Sequence, residues 1–213
     1  MKTDDLVNLL AADTLPVPRR AAPRRLALAL LAGLPLAAAI MLLDYGMRRD
    51  IAQAMLLPMF WVKLLFPALL AAAAFAVLQR AARPGVRLGA SWLAIALPVL
   101  LLWLMAAVTL ANAPADTRAD LVMGQTWRSC SLSIAWISLP LFIAAFVALR
   151  SLAPTRPALA GACAGAMAGG AGAAVYALHC PELQAPFLAV WYVLGIAIPV
   201  LAGALIGPRL LRW

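Results

Sequence analysis

Residues 158–206 read ALAGACAGAMAGGAGAAVYAL (158–178), HCPELQAPF (179–187) and LAVWYVLGIAIPVLAGALI (188–206). Two apolar runs flank a short polar tip. At 1.5 Å rise per residue each run is long enough to cross a hydrocarbon layer that takes about 20 helical residues. Neither run alternates apolar and polar residues, as the strands of a membrane barrel would. The stretch is therefore expected to be a hairpin of two transmembrane helices. Its tip, Leu178-His179-Cys180-Pro181-Glu182, holds the only histidine of the chain and one of its three cysteines.

The rest of the chain follows the same pattern. It has 213 residues, of which 66% are hydrophobic and 12% charged, where soluble domains carry about 25% charged residues. Four more apolar segments precede the hairpin, so the six predicted spans lie at about 26–43, 57–78, 89–110, 131–149, 158–178 and 188–206. The first has a long basic leader and an apolar run longer than a signal peptide's, and is read as a retained helix. The predicted fold is all-α: a polytopic bundle of six transmembrane helices (23–213) with no room for a second folded domain. Residues 1–22 form the only sizeable polar segment. There Thr3 or Asp4 can cap a short helix, Asp4 and Asp5 suit its N-terminus, and Leu6, Leu9 and Leu10 share one face. Pro16 and Pro18 require it to stop near Asp13. A helix of two or three turns needs a partner or a membrane surface to be stable.

Basic residues fix the expected orientation. Twelve of the 17 fall in one set of connections: Lys2, Arg19, Arg20, Arg24 and Arg25, then Arg80, Arg83 and Arg87, then Arg150 and Arg156, then Arg209 and Arg212. Four fall in the other set, Arg48, Arg49, Arg118 and Arg128, together with Asp44, Asp50, Asp116, Asp120 and Glu182. By the positive-inside rule both termini are cytoplasmic and the His179–Glu182 tip faces outward. Arginines placed at span ends in this way orient helices. They do not make a nucleic-acid surface, and no direct nucleic-acid partner is expected.

On this topology Cys130, at the start of the fourth span, and Cys180, at the end of the fifth, reach the same outer interface. Three readings of the pair stay open. A structural disulfide would suit an oxidising compartment, and closing about 50 residues is worth at most roughly 4 kcal/mol. A reactive or metal-binding pair could recruit His179 and Glu182 as further ligands for zinc, cadmium or another thiophilic ion, although the spacing matches no standard zinc motif. The third is two unrelated thiols. Cys163, among alanines and glycines, reads as a small buried hydrophobe. Gly161, Gly165 and Gly169 recur every fourth residue, the pattern that lets helices pack closely in lipid; a substrate path along that face is the lesser reading.

Lys63, within Phe60-Trp61-Val62-Lys63-Leu64, is the one charge inside a predicted span. An intramembrane lysine costs about 2.5–3.5 kcal/mol on insertion scales and is a functional residue by default. Here it sits near the outer end, so the favoured reading is snorkelling to the interface beside Trp61; the rival is a salt bridge to Asp44, Asp50 or another outer acid. No acid or second histidine lies in a span, so a proton relay lacks parts, and no CxxC, Walker or GxSxG motif is present. No enzyme activity and no resident cofactor are expected. A small transporter or metal-efflux component is the alternative, resting on the glycine face and Lys63. A membrane thiol oxidoreductase would need a paired motif that is missing.

Six stretches in order carry a family resemblance: Met1-Lys2-Thr3-Asp4-Asp5-Leu6, Phe60-Trp61-Val62-Lys63-Leu64, Trp127-Arg128-Ser129-Cys130, His179-Cys180-Pro181-Glu182, Trp191-Tyr192-Val193-Leu194-Gly195-Ile196 and Gly207-Pro208-Arg209-Leu210-Leu211-Arg212-Trp213. Together they resemble the NrsF family of bacterial membrane proteins across nearly the whole chain. The resemblance implies a six-helix anti-sigma factor of the cell inner membrane. Such a protein holds an extracytoplasmic-function sigma factor inactive and releases it on oxidative or heavy-metal stress. It also implies that Cys130 and Cys180 are the sensing cysteines and gives Cys163 no role. Residues 1–22, with Asp4, Asp5, Leu6, Leu9 and Leu10, are then the expected sigma-binding segment.

Overall fold

In the computed structural model, residues 3–12, 21–83 and 89–212 are described. Among them there is no strand. The helices are α1 (Thr3–Ala12), α2 (Ala21–Ile40), α3 (Ile51–Ala54), α4 (Pro58–Ala81), α5 (Leu93–Asn112), α6 (Arg118–Met123), α7 (Trp127–Arg150), α8 (Pro157–Tyr176), α9 (Ala185–Phe187) and α10 (Val193–Leu210). Six stretches are long and apolar enough to cross a membrane: Ala21–Tyr45, Pro58–Ala81, Gly89–Asn112, Arg118–Arg150, Pro157–Tyr176 and Ala185–Leu210. These are the six expected segments, several of them extended at one or both ends. Two features escaped the apolar pattern. α2 ends in a π-helical turn, Met41–Tyr45, and another, Leu188–Tyr192, leads into α10. Both set aromatic residues at the same end of the bundle.

The organising helix is α8. It is the most enclosed of the six, with 72% of its central window buried, against 11% for the α5 stretch. The reason is side-chain size, because its glycines and alanines let neighbours approach on three sides. A methyl group on Gly161 would overlap the Gly203 carbonyl oxygen, and one on Gly165 the Pro199 carbonyl, so α8 and α10 meet backbone to backbone. Gly170 faces Pro67 and Ala71 of α4, and Gly172 faces Ser138 of α7. The fourfold glycine repeat is thus a packing seam, as expected, and its partner is α10. The seam leaves no width for a substrate along that face. Cys163 is buried within the same helix.

The contact between α2 and α7 runs antiparallel. Gly33 of α2 packs on Leu141 of α7, Arg25 at the start of α2 donates to the Ser151 carbonyl after α7 (2.6 Å), and Trp136 of α7 donates to Asp44 (3.0 Å). One end of the bundle therefore carries Arg24, Arg25, Arg80, Arg83, Arg150, Arg156, Arg209 and Arg212. The other carries the 177–184 connection and the α7 N-terminus. In α1, Thr3 to Asn8 are exposed, Leu6 and Val7 included. The side chains of Leu9 and Leu10, and the helix stop expected near Asp13, fall outside the described residues.

Candidate functional site

The site is built around a connection without regular structure. α8 ends at Tyr176 in a turn, and Pro181 prevents the helix from resuming, so residues 180–184 cross from α8 to α9 without helix or strand. Their backbone groups lack helical partners and must find others if they are buried. They find them in two cations. The Arg48 backbone N–H donates to Leu178 O (3.2 Å) and its guanidinium to Cys180 O (3.3 Å). The Lys63 ammonium donates to Cys180 O (2.5 Å) and Glu182 O (2.8 Å). Every acceptor in this set is a main-chain carbonyl.

Three side chains of the connection are also fixed. His179 Nδ1 lies 2.9 Å from Gly46 O, and since a carbonyl only accepts, that nitrogen carries the proton. Glu182 Oε1 accepts from the backbone N–H groups of Gln125 (2.7 Å) and Thr126 (3.2 Å). These are the N–H groups just ahead of α7, where a carboxylate is favoured by the helix dipole. Gly124, at φ 53°, lets the chain turn against Glu182 and Phe187, where a side chain would collide with both. Cys180 is buried and its thiol meets that of Cys130, one turn into α7; both carry free thiols.

The two sulfurs are chemically unequal. Cys180 is pulled down to about 5, first by the hydrogen bond from Cys130, then by the Lys63 ammonium, the Tyr192 hydroxyl and the Glu182 backbone N–H, all against burial. Cys130 is the donor and Cys180 the anion-prone member. The Tyr192 hydroxyl, fully buried, has no satisfactory hydrogen bond among the described residues and lies against the Cys180 sulfur. The Lys63 ammonium sits 5.6 Å from the Tyr192 ring centroid. At the rim, Arg48 forms a two-pronged ion pair with Asp50 (2.7 and 2.8 Å). That bond holds the Asp50 carboxyl down at about 2 and raises Arg48.

Measured against the sequence, the structure brings Cys130 and Cys180 together and corrects two readings. Lys63 does not snorkel and meets no carboxylate among the described residues: it is buried, and its partners are two carbonyls, the Cys180 sulfur and a ring face. His179 and Glu182 do not complete a metal-ligand set. Among the described residues no three His, Cys, Asp or Glu side chains converge, because His179 is held by Gly46 and Glu182 by the start of α7. Only a two-sulfur clamp is assembled.

Comparison with known proteins bears on what this clamp serves. The family described as "Negative regulator of sigma F" matches residues 10–213. A curated relative from Azospira oryzae, named probable anti-sigma-F factor NrsF, is 46% identical over 213 residues, covering both chains fully. The anti-sigma-F factor NrsF of Caulobacter vibrioides is 42% identical over 217 residues, again covering both chains fully. The chain belongs to the NrsF family. No solved structure matches it.

Within this NrsF-family site, sequence reading missed Arg48 and the tyrosines. All three tyrosines gather here: Tyr45, Tyr176 and Tyr192 lie in a chain of ring contacts 5.3–6.1 Å apart that includes His179. A signal did exist, since each tyrosine ends or begins a span on the side of the two cysteines. Arg48 had none, because its role is to bond carbonyls that no pattern of side chains reveals.

Proposed function

We propose that this protein is a membrane-bound anti-sigma factor of the cell inner membrane that senses thiol-reactive stress. The arginine-rich end faces the cytoplasm, and the Cys130–Cys180 end faces outward. At rest it sequesters an extracytoplasmic-function sigma factor, and the exposed face of α1 around Leu6 and Val7 forms part of the contact. The observation that carries the reading is the meeting of two buried, unequal thiols inside a connection tied to three other elements. The names of the NrsF relatives and the twelve-to-four division of basic residues support it.

The chemistry is simple. The Cys180 thiolate attacks a peroxide, giving a sulfenic acid and hydroxide, which takes up a proton to become water. Cys130 sulfur then displaces the sulfenic hydroxyl as a second water, and the S–S bond forms. The two thiols lose two electrons and two protons, and the peroxide is reduced to two waters. A thiophilic ion such as cadmium or zinc, taking both sulfurs as ligands, would draw them together in the same sense. Either event replaces a soft S–H···S contact with a fixed link, about 2.05 Å long for a disulfide. The link joins the start of α7 to the end of α8. Both helices run to the arginine-rich end, so their rearrangement reaches the sigma-binding side. A trigger can shift such an equilibrium only by favouring one state, and a link that needs both sulfurs at once meets that requirement.

The test is co-purification of the tagged full chain from its host, with and without peroxide or cadmium. A sigma factor is expected in the untreated sample and lost on treatment, with Cys130→Ser and Cys180→Ser each retaining it. If no sigma factor accompanies the protein in any condition, the anti-sigma reading falls. If both serine variants release it normally, the sensing step falls.

A further inference from the structure

Lys63 favours the Cys180 thiolate, and its surroundings, unusual for a cation, give it a second use. It is fully buried within α4, between apolar neighbours. Its partners, Cys180 O, the Cys180 sulfur, Glu182 O and the Tyr192 ring, all belong to one segment of a different hairpin. No carboxylate pairs with it among the described residues. Arg48, the other cation on the same carbonyl, is neutralised by Asp50. A buried charge held by these carbonyls and by the Cys180 sulfur cannot be left behind when they move, because an uncompensated ion in low dielectric is far costlier than a strained helix.

A second feature lies one turn further along. Pro67 has no N–H, so the helical hydrogen bond to the carbonyl of Lys63, four residues earlier, is absent. α4 is therefore weakest at the residue that grips the cysteine connection. At the same level the Pro67 carbonyl and Ala71 rest against Gly170 of α8, with no side chain between them. Displacement of the outer turns of α4 is taken up as a change of bend at Pro67, against the fixed contact at Gly170. The inner half of α4 then moves, and it ends beside Arg80 and Arg83.

We propose that Lys63 is the positioning residue that carries the state of the Cys180 connection into α4 and so to the arginine-rich end. This rests on the sensing role proposed above and adds the route. When Cys180 is drawn onto Cys130, its carbonyl shifts, the ammonium follows it, and α4 rebends. The grip is electrostatic, and that separates it from an ordinary structural hydrogen bond. A neutral amide at position 63 can satisfy a carbonyl but has no charge that must be followed.

The experiment uses the full chain with its sigma factor in host membranes, with two readouts after hydrogen peroxide: Cys130–Cys180 pairing by alkylation mass shift, and sigma factor remaining on the membrane. Lys63→Gln is expected to pair its cysteines more slowly, because the ammonium that favours the Cys180 thiolate is gone, and, once driven to full pairing by excess peroxide, still to lose about tenfold in release, the scale of a typical coupling between sites. Lys63→Arg, which keeps the charge, is expected to release the sigma factor. The proposal is overturned if the Gln variant pairs its cysteines and releases normally, since a hydrogen bond alone then suffices. It is overturned if the Gln variant cannot be driven to full pairing by excess peroxide, which would leave Lys63 only its effect on the thiol, or if it releases without peroxide. It is overturned too if Lys63→Gln and Lys63→Met are both absent from the membrane, which would make the lysine a requirement of folding. A native chain that pairs its cysteines without releasing the sigma factor, or never pairs them, counts instead against the sensing role.

Discussion

At the scale of single residues, the site depends on an inequality between two like groups. Because Cys180 is held near 5 and its largest support is the hydrogen bond from Cys130, the two should respond differently to pH. A group depressed in the folded state contributes stability above its unfolded value and loses it as pH falls through the folded one. For Cys180 that window runs from ordinary thiol values near 9 down to about 5. The alkylation rate of Cys180 in Cys130→Ala should therefore reach half its maximum at a higher pH than in the native chain, read by mass spectrometry after short pulses of iodoacetamide. An unchanged profile would remove the donor role of Cys130. Glu182 makes a separate prediction. Its carboxylate satisfies two backbone donors at the start of α7, so Glu182→Ala should cost about 1–2 kcal/mol in thermal or denaturant unfolding in detergent, the usual range for a lost helix cap. Glu182→Asp should fail to restore it, its shorter side chain falling short of both N–H groups.

Among the elements, the α8–α10 seam carries the most weight per residue. A side chain at Gly203 would meet the backbone carbonyl of Gly161, which cannot rotate away. Gly203→Val should then destabilise by about 1–3 kcal/mol or more, as overpacking does, lowering the detergent melting temperature, while Gly46→Ala, where nothing lies within reach, should act only through its positive φ. The seam also shows what was legible in sequence. The fourfold spacing of Gly161, Gly165 and Gly169 exposed a packing face, and the apolar runs exposed six helices. Neither named α10 as the partner, although Gly203 and Gly207 repeat the same fourfold spacing in the last span: such a pattern marks a face for close packing without saying which helix meets it. The same limit explains Lys63. Its position near a span end and its neighbour Trp61 favoured the interface, while the features that hold it are two carbonyls 117 and 119 residues away. Pairing of Cys130 with Cys180 was legible because alternation of helix direction brings span ends together whatever their side chains do.

For the whole molecule, the enclosed helix is not the greasiest one. α8 has a mean hydropathy of 1.5 over its best window, the lowest of the six, whose other values lie between 2.1 and 2.5. Lipid alone holds it least firmly, and close contact with α4, α7 and α10 supplies what its small side chains do not. This has a consequence for biogenesis. In the membrane-spanning reading proposed above, α8 emerges before the helix that seals its glycine face, and it should reside stably in the bilayer only once α10 packs on it. A protein truncated after residue 184 should leave α8 unsealed and be cleared by membrane proteases, whereas supplying 185–213 as a separate fragment should rescue it, with pulse-chase half-life as the measure. In the same reading the cysteine clamp, which rests against Tyr192, should take its geometry only after the segment bearing that residue has packed.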